Sequence, residues 1–162
     1  MLPTATVLSN LVNFLFACIV LVVFLYAFGI GLTVHALWFP ILVLTQIIFT
    51  LGLTVVLCAL AVLYRDVIMV LGVVVQAWFF LSPIFYSLEI FGPRNAQIMR
   101  WLNPMASIID GYRTVLWGTL ASSGPASMNP EFLLRTLVTS VIILILGYLF
   151  FLRIEHLFGE RL

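Results

Sequence analysis

Charged residues are scarce in this chain, and lysine is absent altogether. Only 8% of the 162 residues are charged, whereas soluble domains carry roughly 25% because a globule must present polar surface to water. The seven arginines are balanced by six acidic residues, so the chain has neither the basic surface that nucleic acid requires nor an acidic tail. A free-standing soluble protein and a nucleic-acid-binding protein are therefore both excluded.

The absence of lysine also excludes nucleotide chemistry in this chain. A phosphate-binding loop needs a lysine after its glycine run, so any ATP hydrolysis must come from another polypeptide. No His, Cys, Asp and Glu residues have the spacing of a metal site, and no series of intramembrane carboxylates is present to relay protons. Cys18 and Cys58 both lie in apolar runs and are expected to behave as small hydrophobic residues. We expect no metal, no bound cofactor and no enzymatic site.

What the chain has instead is hydrophobic side chains, which make up 64% of it. A helix that crosses the hydrocarbon core of a membrane needs about 20 mostly apolar residues. Four segments fit or nearly fit this requirement, namely residues 11–30, 41–63, 67–86 and 134–152. The sequence therefore predicts an all-α, polytopic integral membrane protein with one transmembrane domain over residues 1–162.

Residues 90–120 predict a different kind of element, placed before the last span. The apolar stretch that follows Asn103 and Pro104 is too short to cross the membrane. Asp110 and Arg113 would also lie near mid-bilayer, at a cost of about 2.5–3.5 kcal/mol each. Their spacing of three residues allows them to pair, which offsets part of the cost but not the missing length. We expect a re-entrant or interfacial helical element, four crossings, and both termini on one side.

Polar residues recur every fourth position along the second predicted span, at Gln46, Thr50, Thr54 and Cys58. Gln76 of the third span could face the same stripe. Stripes of this kind usually join helices through hydrogen bonds. The alternative is a weakly polar pore wall, along which a hydroxyl-rich polymer could slide without tight binding.

Aromatic residues crowd the end of the third predicted span, and they include Phe79, Phe80 and Tyr86. An aromatic belt at the lipid interface is the ordinary interpretation. The alternative is a lining on which the C–H faces of sugar rings stack. Asp110 and Arg113 are likewise open to two interpretations, because ionisable residues inside a membrane are functional candidates but also occur on amphipathic helices in the headgroup region.

Several local motifs together resemble the permease subunits of type 2 ABC exporters, and in particular those that export O-antigen, capsule or teichoic acid chains. The resemblance extends over essentially the whole chain and rests on residues 2–14 (LPTATVLSNLVNF), 64–67 (YRDV), 81–86 (LSPIFY), 103–113 (Asn-Pro, then Tyr-Arg) and 158–161 (FGER).

The resemblance implies a dimer of permease subunits with two ATP-binding cassette subunits, which hold the ATP and Mg²⁺, in the bacterial cytoplasmic membrane with both termini cytoplasmic. The arginine distribution alone leaves the orientation open. Polysaccharide or lipid-linked glycan would be the substrate. The expected roles are an ATPase-coupling turn at Tyr64, Arg65 and Asp66; a translocation path at Gln46, Thr50, Thr54, Gln76, Phe79, Phe80 and Tyr86; and a gate at Asn103, Pro104, Asp110, Tyr112 and Arg113.

Three alternatives remain beside this interpretation. Residues 64–66 also fit a solvated hairpin turn without any partner. The chain also fits a drug or lipid exporter of the same superfamily, or a membrane scaffold that transports nothing.

Permeases of the resembling family carry an interfacial helix, two membrane helices and a cytoplasmic coupling helix before the part matched here, so we expect this chain to be N-terminally truncated.

Overall fold

The computed structural model describes residues 2–29, 34–64, 66–86, 88–117 and 130–158. Every regular element in these ranges is helical, which confirms the all-α prediction for them. The α-helices, in chain order, are α1 (Leu2–Ala27), α2 (Phe39–Leu63), α3 (Val67–Leu81), α4 (Pro93–Leu102), α5 (Pro104–Trp117) and α6 (Pro130–Phe158). Short 3₁₀ helices, Val34–Trp38 and Leu88–Phe91, precede α2 and α4.

Three of these helices are long and apolar enough to cross a membrane. The qualifying segments in the described part of the chain are Ala5–Ala27, Ala36–Leu63 and Leu133–Arg153. Helix α3 is equally apolar but has only 15 residues, which at 1.5 Å per residue is roughly 22 Å against a hydrocarbon thickness of roughly 30 Å. The chain is thus a polytopic helical membrane protein, and a fourth crossing by α3 stays a prediction.

The prediction that the third helix continues to residue 86 is wrong. Helix α3 ends at Leu81, and Ser82 has an extended backbone with φ −85° and ψ 134°. The cause is Pro83, since a residue that precedes proline is disfavoured in helical conformation. The chain then bends through Tyr86. This bend leaves carbonyl groups at the end of α3 without partners in the helix.

The other predicted boundaries differ less from the structure. Helix α1 begins well before residue 11 and ends at Ala27, just before Gly29, whose φ of +76° is left-handed. Helix α6 is longer than residues 134–152 because it begins at Pro130, where the missing proline N–H costs nothing, and continues to Phe158. Up to residue 117, where this part of the description ends, the predicted helical element at residues 90–120 contains two α-helices, α4 and α5.

Helices α2 and α6 pack against each other through small residues. A Cβ atom on Gly52 would lie 2.8 Å from the backbone nitrogen of Leu144, and one on Gly147 would lie 3.0 Å from the carbonyl oxygen of Gly52. Ser140 of α6 is fully buried as well. Since lipid tails are as apolar as leucine, close backbone approach of this kind drives helix association in membranes. The α2–α6 pair is accordingly the core of the molecule.

Helix α5 lies across one end of this pair. Leu42 of α2, Val115 of α5 and Leu133 of α6 form a buried cluster, and Phe39 and Tyr112 pack around it. Because Leu42 and Leu133 lie near the first residues of their helices, α2 and α6 both start at this end. The cluster thereby fixes where α5 sits relative to the spans.

Candidate functional site

A cleft with a volume of about 440 Å³ lies between α1 and α2. Its lining includes the whole polar stripe predicted on α2, that is Gln46, Thr50, Thr54 and Cys58. Helix α1 contributes two more polar side chains, Thr6 and Asn10, along with apolar residues that include Phe14. The lining polar groups are uncharged, so the cleft can exchange hydrogen bonds with a neutral ligand.

The structure does not bring Gln76 to this stripe. Gln76 is exposed on α3 and is not part of the cleft lining. Its place on the predicted translocation path therefore has no support from the geometry of this chain, because a different helix, α1, faces the α2 stripe. The contribution of α1 was missed, although Thr6 and Asn10 stand four residues apart and thus on one helical face.

One end of the cleft is in contact with Tyr112 of α5. The Tyr112 hydroxyl donates a hydrogen bond of 2.6 Å to Oε1 of Gln46. The Tyr112 ring meets the ring of Phe14 edge-on at 5.7 Å and that of Phe39 at 5.8 Å. Burial raises the pKa of the Tyr112 hydroxyl well above its ordinary value, which keeps it a proton donor. Tyr112, a predicted gate residue, and Gln46, a predicted path residue, are thus joined by a direct hydrogen bond.

The break between α4 and α5 is built on Asn103 and Pro104. Asn103 is buried, and its Oδ1 accepts a hydrogen bond of 3.0 Å from the backbone N–H of Met105 at the start of α5. Its Nδ2 donates to Oγ of Ser82, just beyond α3, at 3.2 Å. Pro104 is the first residue of α5. Asn103 therefore caps one helix and ties it to the end of another.

Arg113 holds the bent segment that follows α3. Its Nη1 donates to the carbonyl oxygen of Tyr86 at 2.8 Å, and its Nη2 donates to that of Ile84 at 2.7 Å. These carbonyls lie in the non-helical bend, where no helix supplies a donor. The guanidinium satisfies two of them at once, which links α5 to the bend.

The suggested pairing of Asp110 with Arg113 is wrong. Asp110 instead forms an ion pair with Arg100 of α4, with an N–O distance of 2.6 Å, and accepts a hydrogen bond from Nε of that residue at 2.9 Å. Two separate requirements explain the outcome. Arg113 is needed by the carbonyls of the bend, and the turn at Asn103 folds α4 back so that Arg100 reaches the carboxylate.

The aromatic residues at the end of α3 form a cluster of their own. Phe79 meets Phe80 and Phe85 edge-on at 5.5 Å and 5.6 Å. The Tyr86 hydroxyl folds back and donates to the carbonyl oxygens of Phe80 and Leu81, each at 3.2 Å. Phe79 and Phe80 remain exposed. An interfacial belt and a sugar-stacking surface both fit this arrangement.

The predicted coupling turn is described in part. Tyr64 and Asp66 are exposed, and Arg65 lies outside the described residues. The Asp66 carbonyl accepts hydrogen bonds from the backbone N–H groups of Met69 and Val70, at 3.1 Å and 3.2 Å, and thereby starts α3. The Asp66 side chain makes no capping hydrogen bond to α3.

Arg135 is a site residue that the sequence did not suggest. Its guanidinium lies 3.7 Å from the centre of the Trp101 ring, and its Nη2 donates to the carbonyl oxygen of Arg100 at 2.8 Å. These contacts fasten α6 to α4 at the same end as Tyr112 and Arg113. No periodicity connects positions so far apart in the chain, so the sequence contains no signal for this contact.

The described helices and polar cleft define a class, the polytopic helical membrane proteins. Within that class, residues 2–117 match the model of the ABC-2 type transporter family, which is more than half of the chain. The chain belongs to this family, and the sequence-based assignment to type 2 ABC permeases is confirmed. Permease subunits of the family are transport components and not enzymes.

The curated relatives of this chain include proteins named as O-antigen export permeases. Over 117 residues the chain is 36% identical to the O-antigen export system permease protein RfbA of Myxococcus xanthus, covering 72% of this chain and 45% of that protein. Over 162 residues it is 26% identical to the RfbA protein of Klebsiella pneumoniae, covering 99% of this chain and 60% of that protein. The chain thus spans roughly half the length of these relatives.

Proposed function

We propose that this chain is part of a permease subunit that exports polysaccharide or lipid-linked glycan across the bacterial cytoplasmic membrane. Two permease subunits would work with two ATP-binding cassette subunits, which hold the ATP and Mg²⁺. Both chain termini, and with them the Tyr64–Asp66 turn, would face the cytoplasm. Helices α4 and α5 would then lie on the opposite, outer face.

The observation that carries the proposal is the 36% identity to an O-antigen export permease. The cleft between α1 and α2 agrees with it in chemistry. Its polar groups are amides, hydroxyls and a thiol, lined up along one side of α2 at Gln46, Thr50, Thr54 and Cys58. Neutral groups of this kind exchange hydrogen bonds with sugar hydroxyls at little net free energy, which suits passage of a chain and not its retention.

The proposed mechanism begins at the Tyr64–Asp66 turn. ATP-driven closure of the partner subunits would push on this turn and tilt the helices on either side of it, α2 and α3. The opposite end of α3 is held by Arg113 and Asn103 through the bend at residues 82–86. Tilting of α2 and α3 would therefore move α5, and the end of the path that α5 covers would open.

Arg113→Ala in the full-length permease tests the role of α5. The change removes two charge-assisted hydrogen bonds, each worth roughly 1.5–3 kcal/mol, and frees the bend from α5. Export measured as surface glycan should fall by about tenfold or more. Arg94→Ala is the matched control, because Arg94 is an exposed arginine on the neighbouring helix α4. Unchanged export by the Arg113 variant would remove Arg113 from the mechanism.

The partner and the cargo have separate tests. An ATP-binding cassette subunit should co-purify with the full-length permease, and Asp66→Ala should weaken that association. Purification without any ATPase would favour a membrane scaffold over a transporter. Normal surface glycan in cells that lack the permease, together with drug or lipid sensitivity, would favour the drug or lipid exporters of the same superfamily.

A further inference from the structure

The cleft between α1 and α2 has two distinct ends. Its lining runs along α1 from Thr6 to Phe14 and along α2 from Cys58 back to Gln46. Phe14 is the lining residue farthest along α1, and Gln46 is the one nearest the start of α2. Tyr112 contacts both of them, so these residues mark the same end of the cleft. That end is the one covered by α5.

Tyr112 is held over this end by its ring and by its hydroxyl, in different ways. The ring packs against Phe14 and Phe39 and beside the buried cluster around Leu42. The hydroxyl makes one directional contact, the 2.6 Å hydrogen bond to Gln46. Ring packing tolerates small rotations, whereas a short hydrogen bond does not. The hydroxyl thus makes the directional contact between α5 and the polar stripe of α2.

The position of Gln46 gives this hydrogen bond a second property. Helix α2 is continuous from Phe39 to Leu63, and Tyr64 follows directly at its other end. Rigid secondary elements carry coupling between distant sites, so a displacement of α2 at Tyr64 would be transmitted along the helix to Gln46. Gln46 is therefore the residue through which a movement of α2 would act on α5. It is also the first polar residue of the α2 stripe, counted from the end of the cleft at Phe14.

We propose that the Tyr112–Gln46 hydrogen bond is a latch: it holds α5 closed over the Phe14 end of the cleft, and its breaking admits molecules to the polar stripe of α2 from that end. The latch rests on the proposed function, since it assigns the gating of the proposed path to one contact. Tyr112 acts through the position of α5 and is a positioning residue. A purely structural brace would stabilise the fold without governing access.

The access of small molecules to the cleft can be measured with a cysteine placed in the lining, one helical turn beyond Gln46. Thr50 lines the cleft one helical turn beyond Gln46, so Thr50→Cys is the reporter. It is introduced into the full-length permease with its ATPase partner, together with Cys58→Ser, which removes the other thiol of the lining. A membrane-impermeant thiol reagent is applied to spheroplasts. The buried Cys18 is retained. Its contribution to labelling is measured in a control protein that carries Cys58→Ser but keeps Thr50.

Tyr112→Phe keeps the ring and removes only the hydroxyl. We expect it to speed labelling of the reporter by roughly fivefold, the change in closed population that one net hydrogen bond supports. Gln46→Leu should speed labelling equally. The double variant should be no faster than either single one, because both remove the same contact. Tyr148→Phe, which removes the hydroxyl of an exposed tyrosine on α6, should label at the native rate.

The latch is wrong if Tyr112→Phe labels at the native rate, or if the effects of Tyr112→Phe and Gln46→Leu add. Labelling needs no substrate, so this result is independent of what the protein exports. Failure of the proposed function would be seen separately, as normal surface glycan in cells that lack the permease. Accelerated labelling together with normal surface glycan in cells that lack the permease would retain the latch and reject glycan as the cargo.

Discussion

Helices α2 and α3 follow each other in the chain and are both almost entirely apolar, yet their surroundings differ completely. Helix α2 has five buried residues and packs closely on α6 through Gly52. None of the residues of α3, all of which the structure describes, is buried. A Cβ atom on Gly72 of α3 would meet nothing within 4 Å. Two equally apolar sequences therefore have opposite roles in packing.

The difference teaches that hydrophobicity alone does not locate the core of a membrane protein. In water every apolar helix would seek burial, but in lipid the exposed and buried states of a leucine or valine differ little in solvation. Burial then depends on small residues and on polar contacts. Helix α2 has both, in Gly52 and in the Gln46–Tyr112 hydrogen bond. The segment that follows helix α3 is bonded by Asn103 and Arg113, which ties the end of the helix to α5.

The sharpest test of this contrast replaces one glycine in each helix. Gly52→Val places a branched side chain against the backbone of Leu144 and should destabilise the folded protein by about 1–3 kcal/mol. Gly72→Val, in open space, should leave stability nearly unchanged. Thermal unfolding of the two variants in detergent measures the difference. Equal losses would mean that α3 is as closely packed as α2.

A smaller effect is expected where α3 is attached. Asn103→Ala removes the cap of α5 and the hydrogen bond to Ser82, and should cost about 1–2 kcal/mol. The matched control is Asn95→Ala, which removes an exposed side-chain hydrogen bond to the Phe91 carbonyl and should cost less than about 0.5 kcal/mol. Thermal unfolding again serves as the measurement, and a similar cost for both variants would contradict the anchoring role of Asn103.

The smallest effect concerns the ion pair of Asp110. A double-mutant cycle between Asp110→Asn and Arg100→Gln should give a coupling free energy of about 0.5–1 kcal/mol, since both side chains are partly buried. The corresponding cycle with Arg113→Gln should give less, because Arg113 bonds the carbonyls of Ile84 and Tyr86. A larger coupling with Arg113 would restore the pairing suggested by their spacing.

Local features were predictable where they depend on neighbouring residues. The polar stripe on α2 follows from a repeat of four, and the start of α5 follows from Asn103 and Pro104. The end of α3 was missed although Pro83 signals it, because the apolar run from Leu81 to Tyr86 outweighed that signal in the prediction. The face of α2 and the start of α5 were thus predicted correctly, whereas the end of α3 was not.

Contacts between distant segments were not predictable in the same way. The partner of Tyr112 is 66 residues away, and that of Asp110 is ten residues away across a helix break. Arg135 meets Trp101 from a different helix. A single sequence gives the periodicity within each helix, but it does not give the rotation of one helix relative to another, on which each of these contacts depends.

The amino-acid sequence by itself determined that this chain is helical and lies in a membrane, because so few ionic groups leave hydrocarbon as the only medium for its apolar surface. The tertiary structure decided which apolar helix is packed, which arginine meets Asp110, and that the α2 stripe faces α1. These three features depend on how closely the backbones of two helices approach and on the geometry of the hydrogen bonds between helices. Neither is defined until the helices have packed together.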